Sequence, residues 1–275
     1  MSARWAAINS STHRPGANAL ASAGMRFTMA SILAFVVVAV ASSAVAAIPL
    51  VVVVSEHYVP GAENAIASVR RVVPLYFEPH LLVLSDDDAR AVRDRWTSIL
   101  PPIRVANCSG GIVTNGWRDA PARYRYLRAS PHIWLRTCIV DTYPEWGDTV
   151  LWYLDADTEL QPDFVPPCAT LEPTTAAVCA VWNRERTQLN SGVLRINTTA
   201  WRRGNWSKRI ATHMRDDPRA NDQQVLTRVA LDTGDVCALD PRYNVMGLGE
   251  RRHMRKTPRG GYIWHWTGPH KPWQY

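Results

Sequence analysis

The chain has 275 residues, 47% of them hydrophobic and 20% charged, which supports a large apolar core and excludes a disordered polymer. Its 15 glycines and 19 prolines exclude collagen-like or low-complexity character. The net charge of +7 is diffuse and lacks a dense basic stripe interleaved with aromatics, so no nucleic-acid partner is expected.

The N-terminal stretch carries Arg4, Arg14 and Arg26 and no acidic residue before Glu56. From Phe27 to Val54 the chain is almost wholly apolar or small, with Pro49 as the one breaker. Positive charge followed by a long apolar run is the pattern of a secretory signal or a signal anchor. Residues 27–47 are long enough to span a bilayer, which would make the chain a single-pass type II protein of the Golgi or endoplasmic reticulum. Ala44-Val45-Ala46 is also an A-x-A-like cleavage site, so secretion after cleavage near Ala46 is the alternative. The expected division is residues 1–47 as a targeting segment and 48–275 as one domain. Sequons at Asn107, Asn197 and Asn205 agree with a secretory route. The cysteines are Cys108, Cys138, Cys168, Cys179 and Cys237; none forms a C-x-x-C pair, and disulfides or buried thiols remain equally open.

Beyond the targeting segment, strand and helix patterns alternate. Leu50–Val54 reads as a buried strand, 62–71 as a helix, and His80–Leu84 as a strand. A helix over 89–100, closed by Pro101-Pro102, precedes a short strand at 103–106. Residues 124–140 read as mostly helical. Thr149–Leu154 is a fourth strand, apolar on both faces. Continuous apolar strands alternating with helices predict a mixed, mainly parallel sheet covered on both sides. Ligands of such sheets bind beyond the carboxyl ends of the strands.

Asp155-Ala156-Asp157 stands directly after that fourth strand. Two carboxylates beside a buried strand need a cation, and a divalent ion with oxygen ligands is one solution; a solvated turn is the other reading. Far downstream, His265 lies in the aromatic run Tyr262-Ile263-Trp264-His265-Trp266, followed by Thr267-Gly268-Pro269-His270-Lys271. A lone His there is commonly a satisfied core residue. The glycine turn and the lysine, however, offer backbone N–H groups and a point cation to a phosphate.

Several separated segments together resemble the retaining glycosyltransferases of family 8. Val51–Ala62, with Val53, Ser55 and Tyr58, is similar to their first strand and nucleotide loop. Tyr153–Thr158 is similar to their metal motif, Asn190–Asn197 to their N-S-G block, and Asn221–Leu226 to their D-Q-x-x-L block. Arg242-Tyr243-Asn244 and His265–Trp273 resemble the closing blocks. The resemblance covers residues 48–275 and implies a GT-A-like α/β fold. It departs from the family at Val54, Ser55, Gln224 and Thr227.

The resemblance also implies transfer of a hexose or related sugar, with retention, from a nucleotide diphosphate sugar. A UDP-sugar is the expected donor, and a glycan, protein or lipid the acceptor. Asp155, Asp157 and His265 would ligate Mn²⁺ or Mg²⁺. Val53, Ser55, Tyr58, Arg136, Ala156, Gly268 and Lys271 would join the two aspartates in holding the nucleotide. Asn190, Asp222 and Gln223 would read the sugar or act at the reacting carbon. A non-catalytic nucleotide-sugar or glycan-binding module is the competing expectation. The 12 tryptophans suit core packing, although Trp182, Trp201, Trp206 and Trp273 flank the sugar blocks and one or two could stack on an acceptor. The basic run Arg251–Lys256 reads as a solvated loop or an anion-attracting surface.

Overall fold

The computed structural model describes residues 47–108, 130–166, 175–183, 185–248, 260–271 and 273. Cys168, the basic run 251–256 and the targeting segment through Ala46 lie outside the described residues. Among the described residues, no helix is long and apolar enough to cross a membrane.

Four parallel strands build the first half: β1 (Ile48–Val53), β2 (Phe77–Val83), β3 (Ile103–Val105) and β4 (Val150–Asp155), ordered β3-β2-β1-β4. β7 (Leu189–Asn197) runs antiparallel to β4. β6 (Val178–Trp182) turns back beside β7, and β8 (Val236–Ala238) runs parallel to β6 at the edge. The carboxyl ends of every strand but β7 therefore share one rim, joined there by the amino end of β7. Alternate residues of the strands feed two cores: Val51, Val53 and Tyr153 enter one, while Leu50, Val52 and Leu154 enter the other. The both-faces-covered pattern read from the sequence is what the sheet shows, and each fully buried Val or Leu contributes about 1.5–3 kcal/mol.

α1 (Val59–Val72) carries Pro60 in its first turn, where a fixed φ is suited, and buries Ala62, Ile66 and Val69. α2 is Asp86–Arg95, shifted from the expected 89–100. Ser85 caps it by accepting from the Asp88 N–H, and three aspartates fill its first turn, where the helix dipole favours them. Its end is fixed from outside: Glu63 Oε1 accepts from the backbone N–H groups of Thr97 and Ser98, at 2.6 and 3.1 Å, and so draws that stretch out of the helix. The helix expected over 124–140 is a 3₁₀ segment at Pro131–Cys138 followed by α3 (Ile139–Thr142); residues 124–129 lie outside the described residues. α4 (Thr198–Arg203), α5 (Trp206–Asp216) and α6 (Asp222–Thr233) complete the cover. Asn221 caps α6 in a reciprocal box with Gln224.

Two features shape the rim. A separate two-stranded sheet pairs β5 (Thr158–Leu160) with β9 (Ile263–His265), antiparallel, placing Thr158 opposite His265. The β6–β7 register jumps from Ala180↔Leu194 to Trp182↔Leu189, so β7 bulges between Asn190 and Val193. Such surplus residues bend a strand and re-aim its side chains. The cysteines form two disulfides, Cys108–Cys138 and Cys179–Cys237.

Candidate active site at the carboxyl rim

The last residue of β4 is Asp155, and β1 ends beside it, with Val53 paired to Asp155. The chain turns through Ala156, held by a 2.8 Å bond from Thr158 Oγ1 to the Asp155 carbonyl, and enters β5. Because β5 pairs with β9, His265 returns across a separation of more than a hundred residues to face the two aspartates. His265 Nε2 lies 3.2 Å from Asp157 Oδ1 and 3.5 Å from Asp155 Oδ2. One ligand atom from each of the three residues falls within 4.8 Å of the others. Two carboxylate oxygens and an imidazole nitrogen form a donor set that suits Mn²⁺, with Mg²⁺ less well matched to the nitrogen.

The space for that imidazole comes from Gly192 in the β7 bulge. A Cβ there would stand 2.1 Å from His265 Cε1 and 2.8 Å from Asp155 Oδ2. Gly61 plays a similar part, since its Cβ would meet the Trp273 ring at 2.5 Å and the Ala156 carbonyl at 2.7 Å.

Arg136, on the 3₁₀ segment, is buried against this centre. Its guanidinium reaches Asp155 Oδ1 at 2.9 Å, Asp222 Oδ2 at 3.3 Å, and both the carbonyl and hydroxyl oxygens of Ser191 at 2.8 Å. It also covers the Tyr153 ring, whose hydroxyl donates to Asp155 Oδ1. Asp222, in the first turn of α6, accepts from Ser191 Oγ at 2.9 Å. Gln223 Oε1 accepts from the Ser191 N–H at 3.3 Å. Lys271 Nζ contacts Asp157 Oδ2 at 2.5 Å and the Trp266 carbonyl at 2.7 Å. Asp157 thus turns one oxygen to His265 and the other to Lys271.

Three carboxylates here face Arg136, His265 and Lys271. Burial opposes charge on Asp155, but Arg136 above all, then His265 and Tyr153, hold it well below the usual carboxylate range. Burial would also lower His265; hydrogen bonds and attraction from Asp155 and Asp157 win and raise it to about 9. Asp222 goes the other way, pushed up by burial despite Arg136 and Ser191. Arg136 stays cationic, because Asp155, Tyr153 and Asp222 outweigh its desolvation. An imidazolium is the cation that the aspartate pair holds when no metal does.

The remaining expected residues spread around this centre. Asn190 Oδ1 accepts from the Gly192 N–H and from Asn244 Nδ2. Ser55 precedes the 3₁₀ turn Glu56–Tyr58, and Tyr58 is 41% exposed with its ring 6.1 Å from that of Trp273, edge-on. Gly268 takes φ 106°, which a side chain would strain. Trp201 and Trp206 stack on each other in the core, 5.1 Å apart, so they are packing residues. Trp182 is half-buried and lines a cavity of about 440 Å³ with Asn183, Arg186, Leu239 and Pro241. Ser191, Gly192, Tyr153 and Asn244 were assigned no role from the sequence. Each stands inside a segment quoted for the family resemblance, and that was the only signal they carried.

A mainly parallel α/β sheet with a D-x-D turn and distant cations on its carboxyl rim defines the GT-A class of glycosyltransferase. The chain belongs to glycosyl transferase family 8, whose sequence profile matches residues 49–275. No curated protein sequence matches significantly. Among solved structures, the chain is similar to the galactosyltransferase LgtC in complex with donor and acceptor sugar analogs. The identity is 19% and the TM-score 0.60, covering 82% of this chain and 89% of that one. It is also similar to the glycosyltransferase GlyE of Streptococcus pneumoniae TIGR4, at 17% identity and TM-score 0.55, covering 82% and 56%. The bifunctional glycosyltransferase WbbM follows at 16% and 0.54, covering 83% and 47%. At these identities the likeness establishes the fold.

Proposed function

We propose that this chain moves a hexose or related sugar from a nucleotide diphosphate sugar, a UDP-sugar in the first instance, to a glycan, protein or lipid, with retention of configuration. The observation that carries the reading is the convergence of Asp155, Asp157 and His265 within 4.8 Å at the rim. Breaking the bond at the anomeric carbon puts negative charge on the leaving diphosphate, and stabilising that charge is the main task. A divalent ion, when bound to these three residues, supplies Lewis-acid neutralisation of the diphosphate. Lys271 and the Gly268 backbone add a cation and N–H donors from the other side. Tyr58 offers its exposed ring to the base, with Val53, Ser55 and Ala156 forming the floor of the nucleotide loop.

Asp222, Gln223 and Asn190 surround the sugar position. Asp222 Oδ2 is engaged by Ser191 and Arg136, which favours a fixed charge facing an oxocarbenium-like centre over a free nucleophile. Retention then proceeds by front-side attack, with the leaving phosphate accepting the acceptor's proton. Support for the acceptor position is the Trp182 cavity at the ends of β6 and β8. It lies two strands from β4, roughly 10 Å by strand spacing. The two disulfides favour an oxidising compartment. We assign residues 1–47 to targeting, as a type II anchor or a signal cleaved near Ala46; N-terminal sequencing of the mature chain separates the two. The functional test is release of free nucleotide from a panel of nucleotide sugars with Mn²⁺ and with chelator. One donor turned over only with metal is expected; a chain that turns over no donor, or does so equally with chelator, overturns the proposal.

A further inference from the structure

Asn244 has no assigned role, yet it is 2% exposed and touches both His265 and Asn190. Its side-chain oxygen lies 2.9 Å from His265 Nδ1, and its side-chain nitrogen 2.6 Å from Asn190 Oδ1. The polarity of this chain of contacts can be worked out from one end. The Gly192 backbone N–H only donates, and it points at the Asn190 side chain at 2.9 Å, so the Asn190 atom there is the oxygen. That oxygen can only accept, so Asn244 must turn its NH₂ toward it. The Asn244 oxygen is then left facing His265, and Nδ1 must carry a hydrogen and donate. Nδ1–H is thereby committed to Asn244, and Nε2 is the nitrogen that faces Asp155 and Asp157 and is left for a metal.

The backbone holds this arrangement. Asn244 follows the 3₁₀ turn Pro241–Tyr243, donating its N–H to the Pro241 carbonyl at 3.1 Å. Next to it, Val245 is bonded on both sides to β9: its N–H to the Ile263 carbonyl and its carbonyl to the His265 N–H, each at 2.9 Å. Asn244 and His265 are therefore fixed relative to each other before any ligand arrives.

We propose that Asn244 is a positioning residue that sets the His265 tautomer so that Nε2 is the metal-binding atom, and that the same amide holds Asn190 in place at the sugar position. The inference rests on the metal site of the proposed function. It goes beyond that site by making ion affinity depend on a residue that touches no ion. A hydrogen-bond partner on the far nitrogen of a ligating His commonly accounts for 10–100-fold in metal affinity.

The test uses the full-length chain, without nucleotide, titrated with Mn²⁺ and read by electron paramagnetic resonance of the free ion. Asn244→Ala is expected to weaken Mn²⁺ roughly 10–100-fold. Asn244→Asp keeps an oxygen for Nδ1–H and is expected to stay within about threefold of wild type, since a carboxylate serves that role in many sites. The same variant loses the donor to Asn190 and is expected to raise the KM for the nucleotide sugar. Long-range ¹⁵N–¹H spectra of the Zn²⁺-loaded wild-type chain are expected to show His265 protonated at Nδ1. Unchanged Mn²⁺ affinity in Asn244→Ala, failure of Asn244→Asp to restore affinity, or a proton on Nε2 in the Zn²⁺ form overturns the inference. A wild-type chain that binds neither ion overturns the metal reading itself, and this inference falls with it.

Discussion

Replacing Gly192 by Ala tests the metal site through sterics alone, without touching a ligand. The added Cβ would lie 2.1 Å from His265 Cε1. Carbon atoms rest at about 3.5 Å, so the ring must retreat by roughly 1.4 Å. Ligand distances at a metal tolerate shifts of only about 0.2 Å, and an imidazole cannot bend to compensate. β7 is pinned to β4 at Val193↔Leu154, directly beside Gly192, which limits how far the strand can yield instead. His265 is lost as a ligand, and Mn²⁺ affinity should fall by at least about 100-fold, the upper end of what disturbing an outer hydrogen bond produces. Global stability should move much less. The Gly→Ala change restricts the unfolded chain, a gain of about 0.4–1 kcal/mol, while crowding costs about 1–3 kcal/mol. Isothermal titration with Mn²⁺ beside a urea melt separates the two effects. A Gly192→Ala chain that binds Mn²⁺ within threefold of wild type would refute the reasoning.

Arg136→Met leaves Asp155 and Asp222 buried without their cation, and a loss of about 3–5 kcal/mol is expected from urea melts; Arg136→Lys, which cannot span both carboxylates and Ser191, should fall between. Metal binding needs a neutral His265, whose value is raised to about 9, so Mn²⁺ affinity should climb about tenfold per pH unit up to about pH 9 and then level off. Without metal the sign reverses. The raised value stabilises the fold fully below about pH 6.5, and this contribution, on the order of 3 kcal/mol, is lost as pH rises through 9. A metal-free chain whose urea midpoint does not fall between pH 7 and 10 would contradict this. The Cys179→Ala/Cys237→Ala pair opens a 58-residue loop and should lower stability by about 4 kcal/mol, read as a lower urea midpoint under non-reducing conditions that keep Cys108–Cys138 intact.

β1, β4 and the second half of β2 were legible because each is a continuous apolar run feeding the cores, and β3 was legible from the short run after Pro101-Pro102. β6, β7 and β8 were not, because Asn190, Ser191 and Arg195 break the apolar pattern of β7, and β6 and β8 are short. The metal trio was legible only through its resemblance to a family, since nothing local in Tyr262–Trp266 marks His265 as a ligand. What joins it to Asp155 is the β5–β9 pairing, a contact that no window along the chain contains. The same holds for Arg136: it reads as an ordinary helix residue until folding sets it between Asp155, Asp222 and Ser191. The end of α2 was missed because Glu63, on α1, holds the N–H groups of Thr97 and Ser98. Gly192 and Asn244 were hidden for a subtler reason. One acts by lacking a side chain and the other through an amide two bonds removed from the ion, and neither leaves a compositional trace. The Cys179–Cys237 pairing was likewise unreadable until β6 and β8 placed the two residues in register.

The central claim is that Asp155, Asp157 and His265 hold one ion that receives the diphosphate. A crystal of the chain grown with Mn²⁺ and UDP, with anomalous differences recorded at the manganese edge, tests it most directly. The account predicts a single strong anomalous peak within about 2.3 Å of one oxygen of each aspartate and of His265 Nε2, with the diphosphate on its open side and Lys271 turned toward a phosphate oxygen. A manganese peak elsewhere, or UDP bound with His265 still hydrogen-bonded to the two carboxylates and no ion between them, would contradict it.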